Sequence, residues 1–88
     1  MISTRKEVYD AIDSERSYQE AKWPRPQHEH SLIEFAVFME DYLAELKHLL
    51  TRNDTQEVIY QAQDIMRKVT ALGVASMEIN GTRDRAGW

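Results

Sequence analysis

The sequence predicts an all-α fold: three helices packed as an antiparallel bundle that self-associates. Three observations carry this. Apolar residues recur at alternating spacings of three and four through Ala62, Ile65, Val69 and Leu72 and then, across Ser76, to Ile79, a helical stripe rather than the alternation of a strand. A second, heptad-like seam runs through Leu32, Ala36, Met39, Leu43, Leu46 and Leu50, flanked by Phe35, Tyr42 and Leu49. Thr4 with Glu7, and Ser31 with Glu34, have the spacing of capping boxes, in which a side-chain oxygen and a carboxylate satisfy the free N–H groups of a helix start.

Length and composition bound what such a bundle can be. The chain has 88 residues, which suits one domain (1–81) with a short tail (82–88). A domain this small buries only about 60–65% of its unfolded surface, so association with further copies is favoured. There is no cysteine, hence neither a disulfide framework nor a thiolate metal site. A net charge of -4 argues against sequence-independent DNA binding, which needs a Lys/Arg excess to replace counterions. The longest uncharged run, Val69 to Met77, falls far short of the roughly 20 apolar residues of a membrane span. With no signal peptide at its start, the chain is expected in the cytoplasm.

The first helix is expected over about 5–21, with Val8, Ala11 and Ile12 as its apolar face. One and two turns further on, that face meets Glu15, Gln19 and Lys22, with Arg16 and Tyr18 beside them, so its second half either runs into water or lines a polar site. Trp23-Pro24-Arg25-Pro26 must leave the helical path, because each proline forces the residue before it into extended geometry. His28 and His30 follow, a pair without a third metal ligand at suitable spacing. Trp23, a large aromatic beside Lys22 and Arg25, is suited either to closing the core or to stacking on a base.

The second helix is expected over 32 to about 50. Asp41, Glu45 and His48 share one of its faces, either a cation-facing edge or a solvated stripe. A polar turn follows, with Asp54 as N-cap and Glu57 as its return partner. The central helix then runs to Asn80, and Gly81 suits the left-handed position that ends it. Within it, Gly73 would cost about 1 kcal/mol relative to alanine, tolerable if another backbone passes close by. Because the run from Val69 to Met77 is apolar on every side, it should be buried against more than one neighbour. Arg67 and Lys68, at the edge of that run, need an anion: Asp64, an acid of the second helix such as Asp41 or Glu45, or a phosphate. The tail has no periodicity and is expected to be mobile unless Trp88 docks, though Arg83 and Arg85 are suited to closing over an anionic ligand.

Three segments, in order, resemble the short, mostly phage-encoded relatives of the MazG-type all-α nucleotide pyrophosphohydrolases. They are Glu15-Arg16-x-x-Gln19-x-x-Lys22-Trp23 followed by His28, the acidic helix around Glu40, Asp41 and Glu45, and the alanine- and valine-rich stretch from Asp64 to Glu78. The likeness spans about Asp13 to Gly81. It implies the family's fold and a nucleotide-like ligand, and in competent members a Mg²⁺ ion held by two acidic pairs, each with its second carboxylate three residues after the first. Here Ala44 stands three residues after Asp41, with Glu45 one place late, and Arg67 stands three after Asp64. A cationic Arg67-Lys68 pair would repel Mg²⁺ and attract phosphate. The opening RKEVYDAIDSERSYQEAKW is also similar to the phage anti-CBASS sponge proteins, which capture cyclic nucleotide immune signals as oligomers.

Three readings of function follow. The leading one is a non-catalytic, phage-type protein in the host cytoplasm that sequesters a cyclic nucleotide immune signal in a pocket at a subunit interface. In it, Arg16, Lys22, Arg67 and Lys68 bind phosphate, Tyr18, Trp23 or Tyr42 stacks on a base, and Gln19 reads a base edge, with no cofactor. The second is a Mg²⁺-dependent nucleoside triphosphate pyrophosphohydrolase using Glu40, Asp41, Glu45 and Asp64 as metal ligands. The third is a structural interaction module whose conspicuous residues only build an oligomer.

Overall fold

The computed structural model describes residues 2–25, 29–52 and 55–85. They form three helices, α1 (Arg5–Lys22), α2 (Leu32–Arg52) and α3 (Gln56–Asn80), with no strand among the described residues. Both capping boxes are made. Glu7 N–H donates to Thr4 Oγ1 at 3.1 Å and Thr4 N–H to Glu7 Oε1 at 2.9 Å. Ser31 and Glu34 repeat the exchange at 2.9 and 3.3 Å. These contacts satisfy donors that the helix itself leaves free, and they hold the Glu7 and Glu34 carboxyls below the ordinary carboxylate range.

The third cap differs from expectation. Thr55, not Asp54, is the N-cap of α3, its hydroxyl accepting from Val58 N–H at 3.4 Å, and Asp54 lies outside the described residues. A threonine hydroxyl caps nearly as well as an aspartate, so the start is set one residue later. Gly81 closes α3 with φ 90°, as expected of a glycine, but its ψ of 162° is extended rather than left-handed helical.

α3 is the centre of the arrangement. It packs against both α1 and α2, whereas α1 and α2 do not approach each other within 8 Å between Cα atoms among the described residues. α2 and α3 run antiparallel, as the hydrogen bond from Asn80 Nδ2 to His30 O at one end and the Leu46–Ala62–Ile65 cluster at the other require. α1 docks from Ile12 onward: Ile12, Arg16 and Gln19 are buried while Val8 and Tyr9 are exposed. The radius of gyration of 14.4 Å exceeds the roughly 12 Å of a close-packed domain of this length, as an open bundle should.

The apolar run of α3 is covered on two sides but not all round, since Thr70 and Met77 are exposed. Val69, Ala71, Ala75 and Ser76 are buried, Ala71 completely, and the neighbours are α1 on one side and α2 on the other within one chain. The seam of α2 differs from the predicted one. Leu32, Ala36, Leu43 and Leu50 are exposed, and the residues facing α3 are Phe35, Met39, Tyr42, Leu46 and Leu49. This line is also spaced at three and four, rotated slightly on the helix. α2 carries hydrophobes on both lines, so spacing alone did not select between them.

Gly73 also departs from expectation. No backbone crowds it: a Cβ there would meet only the terminal methyl of Met39, at 3.5 Å, an ordinary van der Waals distance. Gly73 therefore serves no close backbone approach, and Gly73→Ala should stabilise the protein by about 1 kcal/mol, the difference in helix propensity. For a domain this size that raises Tm by roughly 4–8 °C. A lower melting temperature for the variant would show that the site has less room than this.

Candidate functional site

Because α1 and α2 both lean on α3 with no Cα atoms within 8 Å of each other among the described residues, a cleft of about 310 Å³ opens between them. One wall is aromatic, with Phe35, Phe38 and Tyr42 from α2 and His30 from the loop before it. The rings are ordered edge-to-face: His30 lies 5.7 Å from Phe35 and 5.0 Å from Phe38, with interplanar angles of 84° and 82°. The floor is Leu72, Ala75 and Ile79 of α3, and Trp23 stands at the end of α1. The opposite wall is polar, made of Arg16, Gln19, Glu20 and Arg25.

Arg16 organises the polar wall. Its side chain is only 10% exposed, and its guanidinium donates through Nε and Nη2 to the two oxygens of Glu78 at 2.9 and 3.1 Å. It also reaches Gln19 Oε1 and Glu20 Oε1, both at 3.3 Å. Arg25 Nη2 donates to the same Glu78 Oε2 at 3.2 Å. The fork of hydrogen bonds from Arg16 lowers the Glu78 carboxyl below the ordinary range and raises the guanidinium in return, against a smaller opposing effect of burial. Gln19 is held too, its Nε2 donating to Lys68 O at 3.4 Å.

Of the eight predicted ligand-binding residues, Arg16, Gln19, Trp23 and Tyr42 line this one cleft. Lys22 lies beside it, its ammonium 4.8 Å from the Trp23 ring centroid and 5.8 Å from that of Tyr18. Tyr18 and Arg67 instead border a shallow depression on another side of α1, with Ala11, Ser14 and Glu15. Lys68 is half-buried and does not border the cleft. Arg67 has found carboxylates, as one alternative required: Asp64, one turn away, and Glu15 of α1 rather than Asp41 or Glu45. Both contacts measure 2.8 Å, and the hydrogen bond that Arg67 donates to Glu15 is the larger cause of the guanidinium's raised pKa.

The Glu15 side chain is 9% exposed, so Arg67→Ala would leave a nearly buried carboxylate without its partner. A loss of about 1–3 kcal/mol is expected, read as a lower melting temperature. An unchanged melt would release Arg67 from its structural role.

The metal-ligand candidates are not gathered. Glu40, Asp41 and Glu45 are exposed on α2 and Asp64 is engaged by Arg67 on α3. Among the described residues no group of three or more His, Asp or Glu side chains is placed to hold an ion. His30 pairs with Glu34 at 3.6 Å, and His28 lies outside the described residues, as does Trp88. Arg25, His30, Phe35, Phe38 and Glu78 were not among the predicted site residues. Glu78 had a legible signal: it is the first charge after Lys68 in an otherwise uncharged stretch, so its carboxylate required a cation from another element. No protein-family model, curated protein or solved structure matches this chain. No helix of the described residues is long and apolar enough to cross a membrane.

Proposed function

We propose that this chain is a non-catalytic nucleotide-binding protein whose ligand enters the cleft between α1 and α2. The observation that carries the reading is one opening with two unlike walls. Aromatic rings on one side suit the face of a base, and two arginines on the other suit a phosphate, for which the guanidinium fork is matched. Trp23 and Tyr42 supply further stacking surface, and Gln19 a base-edge contact.

The ligand class we propose is the cyclic nucleotide immune signals, supported by the sequence likeness to phage sponge proteins. A volume of about 310 Å³ is at the small end for ligand pockets and suits one nucleotide unit. A cyclic dinucleotide would extend beyond it, so a second copy of the chain would supply the remaining wall. Self-association is part of the proposal. Leu32, Ile33, Val37, Leu43 and Leu50 of α2 and Met66 and Met77 of α3 are all at least 44% exposed, more apolar surface on one helix pair than water favours. Light scattering should find a dimer or larger, and Leu43→Glu should shift it toward monomer.

The binding test is incubation with nucleoside triphosphates, cyclic oligonucleotides and cyclic ADP-ribose products in the presence of Mg²⁺, followed by heat release and mass spectrometry. Ligand recovered intact supports the proposal. Pyrophosphate with a monophosphate would establish the pyrophosphohydrolase reading instead, and no bound nucleotide would leave an interaction module.

A further inference from the structure

Two guanidinium groups share a single carboxylate beside the cleft, and the three residues differ in their freedom to move. Arg16 is 10% exposed and further tied to Gln19 and Glu20, so its cation stays where it is. A guanidinium so placed is costly to leave without an anion. Glu78, on the last turns of α3, is 37% exposed, and Arg25, on the loop after α1, is 44% exposed. Glu78 therefore has an outward path to water that disturbs no core contact, whereas Arg16 has none.

What Glu78 offers the arginines is two oxygens and one negative charge. A phosphate presents at least the same, with non-bridging oxygens that fit the guanidinium fork equally well. Resting on the nucleotide reading above, we propose that Glu78 is an internal stand-in for the ligand's phosphate. It keeps Arg16 and Arg25 turned toward the cleft while the site is empty, and a phosphate binds by taking its place as the carboxylate swings into water. Binding is then an exchange of one anion for another. The cation is never exposed to an uncompensated state, and a neutral nucleoside, unable to replace Glu78, is rejected.

The test is calorimetric titration of inorganic pyrophosphate and of cyclic di-AMP into the full chain at fixed ionic strength. It compares the wild type, Glu78→Gln and Glu78→Asp. With the competing charge removed, Glu78→Gln should bind both probes at least tenfold more tightly than wild type, and pyrophosphate should restore much of the melting temperature that the free variant loses. Glu78→Asp, which keeps the charge but withdraws it by one methylene, should show a smaller gain and carries the comparison if the neutral variant does not fold. Weaker or equal binding of pyrophosphate by the variants, or no binding of either probe by any protein, overturns the exchange. If cyclic di-AMP binds wild type and variants alike, the nucleotide reading stands and the exchange falls. If pyrophosphate alone binds, and more tightly to the variants, the exchange stands and the nucleotide reading falls.

Discussion

Phe35→Ala is expected to destabilise the protein by about 3–5 kcal/mol, the usual cost of deleting a buried aromatic ring. Phe35 is 3% exposed, faces α3, and braces His30 and Phe38 on the aromatic wall. Against a total stability of roughly 5–15 kcal/mol for a domain, that loss brings the chain close to unfolding. Leu32→Ala, at a position 67% exposed, should change stability by no more than about 0.5 kcal/mol in dilute solution. The pair of variants decides which line of α2 is its core. Comparable losses in urea unfolding would restore the seam through Leu32 and refute the one described above.

Arg16→Met is the second large effect. Methionine keeps the apolar stem of the side chain and removes the charge, leaving Glu78 with Arg25 alone and Glu20 without a cation. Breaking a fully buried ion pair costs about 3–5 kcal/mol. Because Glu78 is partly in water, about 2–3 kcal/mol is expected here. The variant should also lose nucleotide binding altogether. Acidification gives an independent check. The Glu78 carboxyl titrates lower in the folded chain than in the unfolded one, so it contributes stability above the ordinary carboxylate range and loses it as pH falls through the lowered value. Arg16→Met should flatten that part of the stability profile while leaving the share due to Glu7 and Glu34, which are lowered by their own caps.

The order of the helices and the caps of the first two could be read directly from residues, because each depends on neighbours three or four positions away, whereas the third cap falls on Thr55 rather than Asp54. Thr4 with Glu7 and Ser31 with Glu34 are such local pairs, and both are made. What the sequence left open depends on which elements meet. α2 is apolar on two adjacent lines, and only the placement of α3 selects Phe35 and Tyr42 over Leu32 and Leu43. The site divides in the same way. Gln19 is a polar residue continuing an apolar face, with Arg16 beside that face. Glu78 and Arg25 come together with Arg16 only because α1 docks on α3 from Ile12 onward, a separation of 62 residues for Arg16 and Glu78. Arg67 is conspicuous in the sequence for its charge, yet its partners include Glu15, on a helix that spacing within α3 cannot reveal.

The most direct measurement of nucleotide binding in this cleft is the fluorescence of Trp23. The chain has two tryptophans, so a Trp88→Phe background leaves Trp23, at the end of α1 and bordering the cleft, as the only reporter. Titration with AMP, ATP and cyclic di-AMP should give a saturable change in emission with at least one of them, as a base displaces the Lys22 ammonium now over the ring. That change should vanish in Arg16→Met. No saturable change with any of the three, or an equal change in Arg16→Met, would contradict nucleotide binding at this site.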